Sequence, residues 1–230
     1  MVKDATHVQD PEIYKPTFNR AEEKEFVRSL RALGIMDGPS ADSSLMWNLH
    51  RKLSPFLEKK SEDEMMELLN CVLAMCSRVQ GSVSMCLLDQ KRSVAVKAMT
   101  LRKTQKLLAC IQIMRKLHAQ MNEAASSIFE RSKYKVLARL VPLDHMPTGW
   151  TSPHDLDLLK VVHEMGFDNI SNGIRTYQQL HPWPVSNLDL QLIRTDEKAL
   201  MSRVVEIVGT FDIGKWPGKP DMSIFEDSDD

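Results

Sequence analysis

Apolar residues along this chain recur at three- and four-residue intervals, and no stretch alternates over six residues, so the pattern predicts helices and little sheet. Phe26, Val27, Leu30 and Leu33 mark a first helix. Asn19 is a good N-cap for it, Glu22 completes a capping box, and Gly34 stops it. Asp37 to Ser44, with Gly38 and Pro39, reads as a loop, and a short helix carrying Leu45, Trp47, Leu49 and Leu53 follows. Ser61 and Glu64 form a second capping box. It opens a helix with Met65, Leu68, Leu69, Val72, Cys76 and Val79 on one face, ending at Gly81. From Leu101 to Met121 one long amphipathic helix is expected. Leu107, Leu108, Ile111, Met114 and Met121 fall on one side, and Arg102, Gln105, Lys106, Gln112 and Lys116 on the other. A late helix from Asp196 to Val208 carries Leu200, Val204, Ile207 and Val208.

The chain also echoes itself. Phe18 to Gly34 and Trp150 to Gly166 share one layout: an aromatic, a capping segment, an amphipathic helix and a stop glycine sixteen residues after the aromatic. Leu158, Leu159, Val162 and Met165 match Phe26, Val27, Leu30 and Leu33 position for position. Ser152 reads as the second N-cap, Pro153 as the first helical residue, and Asp155 as the residue closing the box. Two well-capped helices would share some of this by coincidence, but a fixed offset across seven positions points to two copies of one helical module.

Charge changes the picture. The 230 residues carry a net charge of −1, which taken alone argues against a nucleic-acid binder. Resolved along the chain, residues 1–90 hold −3, residues 91–140 hold +10 and residues 141–230 hold −8. A segment this basic attracts polyanions, and phosphate contacts by Lys and Arg give affinity without sequence preference. The candidate contacts are Lys91, Arg92, Lys97, Arg102, Lys103, Lys106, Arg115 and Lys116, then Arg131, Lys133, Lys135 and Arg139. A solvated basic face is the plainer reading of the same charges. Only Phe129 and Tyr134 offer stacking rings near the cluster, which argues for duplex over single-stranded nucleic acid.

Chemistry adds little. No H-E-x-x-H, G-x-S-x-G, G-x-G-x-x-G or phosphate-loop motif occurs, so no catalytic residue and no cofactor is expected. Cys71, Cys76, Cys86 and Cys110 form no C-x-x-C pair and read as buried reduced thiols; no metal site is expected. No apolar run is long enough to span a bilayer, so no membrane partner is expected, and for want of any catalytic motif no small-molecule substrate is expected either.

Several segments carry a likeness to a known family. "PTFNRAEEKEFVRSLRALGI", "KKSEDEMMELLNCVLAMCSRV", "IQIMRKLHAQM", "GWTSPHDLDLLKVVHEMGF" and "LMSRVVEIVGTFDIGKWP" follow one another in an order and spacing that resembles the C-terminal SANT/SLIDE-like region of chromodomain-helicase-DNA-binding (CHD) chromatin remodelers, most of all the third, BRK-containing subfamily. Phe18 stands where that family often has a tryptophan, and Gly149-Trp150 where it has two. The resemblance implies an all-α fold of two trihelical SANT-like modules, about 17–81 and 150–217, joined by a basic spacer helix region over 82–149. Residues 1–16 would be a disordered lead-in and 218–230 a disordered acidic tail. It further implies a nuclear, non-catalytic module that binds duplex or nucleosomal DNA, with ATP and magnesium belonging to a motor outside this chain. The alternative expectation is a histone-tail scaffold that uses Glu22, Glu23 and Glu25 of the first module and Asp155 and Asp157 of the second.

Overall fold

In the computed structural model, residues 18–36, 43–81, 85–122, 146–168, 170–180 and 196–210 are described. The predicted lead-in, residues 37–42 of the predicted loop, the second basic cluster (Arg131, Lys133, Lys135, Arg139) and the acidic tail lie outside the described residues, while Ser43 and Ser44 of that loop open a helix. Among the described residues every regular element is helical, as the spacing of apolar positions predicts.

Both capping boxes form. Asn19 Oδ1 accepts the N–H groups of Ala21 (2.9 Å) and Glu22 (3.0 Å), and Glu22 Oε2 accepts that of Asn19 (2.8 Å), starting α1 (Arg20–Leu33). Next come α2 (Ser43–Leu53) and a single 3-10 turn, Pro55–Leu57. Ser61 and Glu64 exchange the same pair of bonds at the start of α3 (Glu62–Val79). The Ser61 backbone N–H holds the Glu64 carboxyl below its ordinary pKa. The chain continues as α4 (Leu87–Ala95), α5 (Leu101–Asn122), α6 (Ser152–Met165), α7 (Ile170–Leu180) and α8 (Glu197–Thr210). The sequence pattern did not predict α4 or α7.

Two hydrophobic cores form, and α5 belongs to both. The first gathers Phe26 and Leu30 of α1, Trp47 of α2, Leu57, and Met65, Val72 and Met75 of α3. The second gathers Trp150, Leu158 and Val162 from around α6, Ile174 of α7, and Leu200, Val204 and Ile207 of α8. From α5, Leu107 and Ile111 enter the first core, and Cys110, Ile113, Met114 and Leu117 enter the second. The two sets interleave along the middle of the 22-residue α5, a rod about 33 Å long, so different sides of one helix enter the two cores. The long helix expected from Leu101 to Met121 thus forms, and it is packed into both cores. With a core on two flanks, burial takes in most of the circumference of α5, and Lys106 of the expected polar side is 9% exposed.

The echoed helices α1 and α6 meet at their C-terminal ends. Gly34 has φ +65°, and a Cβ there would collide with Met114 Cβ of α5. Gly166 has φ +96°, and a Cβ there would lie 3.1 Å from both the Cβ and the carbonyl oxygen of Ala32. The stop glycines therefore do more than end helices: Gly34 lets the end of α1 approach α5, and Gly166 lets the end of α6 approach α1. The Phe167 N–H donates to the Ala32 carbonyl at 2.7 Å, and Arg31 faces Asp168 at 3.5 Å. His118 of α5 sits in the same junction. Its Nε2 lies 2.8 Å from the Leu33 carbonyl, which fixes the proton on Nε2, and its ring meets that of His163 edge-on at 4.9 Å.

The second capping segment departs from expectation. The N-cap is Thr151, not Ser152, and the third helical residue is His154, whose Nδ1 accepts the Thr151 N–H at 3.0 Å. Asp155 is drawn inward instead. One of its oxygens accepts the Trp150 indole N–H (2.6 Å) and Arg203 Nε (2.8 Å), and the other accepts Arg203 Nη2 (2.6 Å). The register shifts by one because a buried arginine on α8 competes for that carboxylate and wins.

Candidate nucleic-acid interface

The basic segment turns a corner between α4 and α5. Cys86 caps α4: its Sγ lies 3.5 Å from the Asp89 N–H and 3.1 Å from Asp89 Oδ2. Val96 then leaves the helix in an extended conformation and pins the chain into the first core. The Lys97 N–H donates to Glu23 Oε1 at 2.6 Å, tying the corner to α1 while the Lys97 side chain stays exposed. Thr100 starts α5: its Oγ1 accepts the Lys103 N–H at 3.3 Å and its carbonyl accepts the Thr104 N–H at 3.0 Å.

The first turn of α5 has the wrong charge for its position. Helix N-termini favour acidic side chains. Accordingly, α1 places Glu22 and Glu23 there, and α3 places Glu62, Asp63 and Glu64. No acidic residue occupies the first turn of α5, which instead carries Arg102 and Lys103, both exposed. Each such cation costs a few tenths of a kcal/mol, up to about 1, against the helix dipole. An anion at this corner would meet Lys97, Arg102 and Lys103 together at the positive end of the helix dipole, offsetting that cost.

The candidate residues separate into three groups. Lys91, Lys97, Arg102, Lys103 and Arg115 are exposed and Lys116 half-exposed. Arg102 and Lys116 lie about 21 Å apart along the outer side of α5, with exposed Gln105 and half-exposed Gln112 between them and no Asp or Glu anywhere from Lys91 to Asn122. Arg92 is engaged inside the fold. Its Nε and Nη2 donate to both Glu67 oxygens at 2.9 and 3.0 Å, and this partner raises its pKa. Lys106 is buried, so two of the predicted contacts, Arg92 and Lys106, are structural. Arg131, Lys133, Lys135 and Arg139 lie outside the described residues.

In many trihelical DNA-docking units the third helix is the one presented. Here α4 packs along α3 and the Glu67–Arg92 pair ties them together, while the first turn of α3 is acidic. The first turn of the third helix therefore has the wrong charge to meet phosphates. The acidic residues suggested for a histone surface are also occupied. Asp155 and Asp157 are buried. Glu22 pairs with Lys60 (3.3 Å), Glu23 with Arg20 (2.6 Å), and Glu25 with Arg28 (3.6 Å). The cysteine expectation holds for three residues of four. Burial pushes the Cys76 and Cys110 thiols up to about 11 and about 12, whereas Cys86 is exposed.

Sequence reasoning missed the corner because cysteine is not a usual N-cap, so α4 had no visible start. Thr100 before an apolar helical run was a readable signal. No His/Cys/Asp/Glu group suited to a metal ion occurs among the described residues, and none of their helices is long and apolar enough to cross a membrane.

Residues 2–100 match a family model described as chromodomain-helicase-DNA-binding protein 6-9, tri-helical. That span is thus similar to a region of the CHD family. It contains α1 to α4 and stops one residue before α5, leaving the shared helix and the second core outside it. No curated protein and no solved structure matches the chain.

Proposed function

We propose that this chain is a non-catalytic duplex-DNA-binding module of a nuclear chromatin remodeler, gripping backbone phosphates at the α4–α5 corner and along the outer side of α5. The observation that carries the reading is the cationic first turn of α5: Arg102 and Lys103, with Lys97 beside them, stand where the helix dipole favours a negative charge. The similarity of residues 2–100 to the CHD tri-helical region supports the chromatin setting. On this reading the second core is the SLIDE-like partner of a SANT-like first module, as the likeness to the third CHD subfamily suggests. The contacts are to phosphates, so they position the protein on DNA without reading its sequence. ATP and magnesium belong to a motor elsewhere.

The test is a fluorescence anisotropy titration of labelled duplexes of unrelated sequence over a salt series, with histone-tail peptides as the competing ligand. Similar affinities for all duplexes, falling linearly on a log–log plot against salt, are expected. No duplex binding at low salt, or tighter binding of the peptides, rejects the proposal.

A further inference from the structure

Three hydroxyl side chains lie in the basic stretch from Lys91 to Asn122: Ser93, Thr100 and Thr104. Ser93 and Thr104 are buried. Thr100 is exposed and stands in the non-helical link between α4 and α5. Lys97 comes three residues before it, and Leu101, Arg102 and Lys103 follow directly, all of them exposed. An accessible hydroxyl with an apolar residue next to it and cations on both sides is the pattern that basic-directed protein kinases take.

The start of α5 also lacks an acceptor that other helix starts have. In α1, α3 and α6 the third helical residue (Glu22, Glu64 or His154) returns a side-chain acceptor to the cap backbone. In α5 the third residue is Lys103, whose side chain can only donate. Its backbone N–H reaches Thr100 Oγ1 at 3.3 Å, so half of a capping box is present. A second donor lies close by. Thr104 is fully buried, and its Oγ1 has no hydrogen-bond partner among the described residues. It sits one turn on from Thr100 on the same side of the helix, with its Cα–Cβ bond tilted back toward the helix start. Glu23, a carboxylate at this corner, already holds Arg20 and the Lys97 N–H.

We propose that Thr100 is a phosphorylation site for a basic-directed protein kinase, and that the phosphate completes the cap of α5 while it switches off DNA binding at the α4–α5 corner. Thr100 Oγ1 attacks the γ-phosphorus of a nucleoside triphosphate held by the kinase. The Oγ1–phosphorus bond forms as the bond from that phosphorus to the β–γ bridging oxygen breaks. The nucleoside diphosphate leaves, and the hydroxyl proton passes to a base of the kinase. The added group carries a charge of about −1.5 to −2 at neutral pH. At the positive end of the α5 dipole that charge is stabilising. It also draws Lys97, Arg102 and Lys103 onto itself and repels the phosphates of a duplex. The loss of binding rests on the DNA reading above; the modification and its effect on stability do not.

The full chain is incubated with magnesium-ATP and protein kinase C, and the modified residue is located by fragment mass spectrometry. Thr100 should take one phosphate. T100N, which keeps a capping side chain, should take none between residues 91 and 122. No phosphate at Thr100, or phosphate at Ser93 or Thr104 in its place, overturns the proposal. The phosphorylated chain should melt a few degrees higher than the unmodified one and bind duplex about ten-fold more weakly at low salt. Kinase treatment should leave duplex binding by T100N unchanged. A lower melting temperature, or unchanged duplex binding after phosphorylation of Thr100, overturns the proposal as well. If the unmodified chain binds no duplex, the DNA reading fails on its own, and the site and the melting temperature decide this one.

Discussion

Asp155 and Arg203 form a two-pronged ion pair with both side chains only 1% exposed, the carboxylate taking Arg203 Nε at 2.8 Å and Nη2 at 2.6 Å. Burial opposes the guanidinium charge, but Asp155, and Glu206 at 2.8 Å from Nη1, raise its pKa all the same. The pair joins the first turn of α6 to α8 and, through the Trp150 indole, to the chain that leads into α6. Replacing Arg203 by Ala leaves a buried carboxylate without its counter-charge, a change that costs about 3–5 kcal/mol. Replacing both partners by apolar residues, D155L with R203M, should cost much less, because no orphaned charge remains. Urea midpoints of the single and double variants check this.

Gly34 and Gly81 both have positive φ (65° and 75°), but only Gly34 is crowded; a Cβ on Gly81 would meet nothing within 4 Å. Gly81→Ala should cost only the left-handed penalty, about 1–2 kcal/mol. Gly34→Ala should cost clearly more, since Met114 must also move. Thermal unfolding of the two variants side by side isolates the close approach from the backbone conformation.

The buried histidines make stability rise with pH. Burial lowers the His50 pKa from 6.5 to about 4 and lowers that of His118 as well. His50 is boxed in by Ser29, whose Oγ lies 2.8 Å from Nδ1, and by the Phe26 and Trp47 rings. The unfolded chain therefore binds more protons between pH 4 and 6.5. Stability is fully present above about 6.5 and is lost as pH falls toward 4, by about 3 kcal/mol for His50 at full extent. Urea unfolding at pH 7 and pH 5 should show the loss, and His50→Gln should flatten the difference.

Charge reversal should split the basic segment into two classes. Lys97→Glu, Arg102→Glu and Lys103→Glu together should weaken duplex binding alike for all sequences and lower the salt slope by about 3, with the fold intact. Lys106→Glu, at a buried position, should instead lower stability. Anisotropy titration and circular dichroism on the same samples separate the two.

Leu117 is fully buried in the second core, yet it lies on the helix that also closes the first. Leu117→Ala should destabilise by about 2–5 kcal/mol and speed amide hydrogen exchange in α2 as well as in α8. Faster exchange in α8 alone would mean that the two cores unfold separately.

Much of the fold was legible where caps and periodicity agreed. Asn19–Glu22 and Ser61–Glu64 set the starts of α1 and α3 to the residue, and the echo led to the paired ends at Gly34 and Gly166. What the sequence hid was tertiary. Periodicity treats a helix as having one apolar side, and α5 has two neighbours, so the pattern points Lys106 to solvent where the fold buries it. A carboxylate near a helix start reads as a cap, and only the position of Arg203, forty-eight residues away, turns Asp155 inward. The candidate interface was half legible: the charges were plain, but which of them the fold consumes, as Glu67 consumes Arg92, depends on packing that no spacing reports.

Because α5 is a structural member of both cores, the two modules have no slack between them among the described residues. A torque applied to one is delivered to the other through a single rod, braced where Phe167 bonds to Ala32. A shared rod of this kind would couple the pair as a lever with a fixed arm rather than as two grips on a cord.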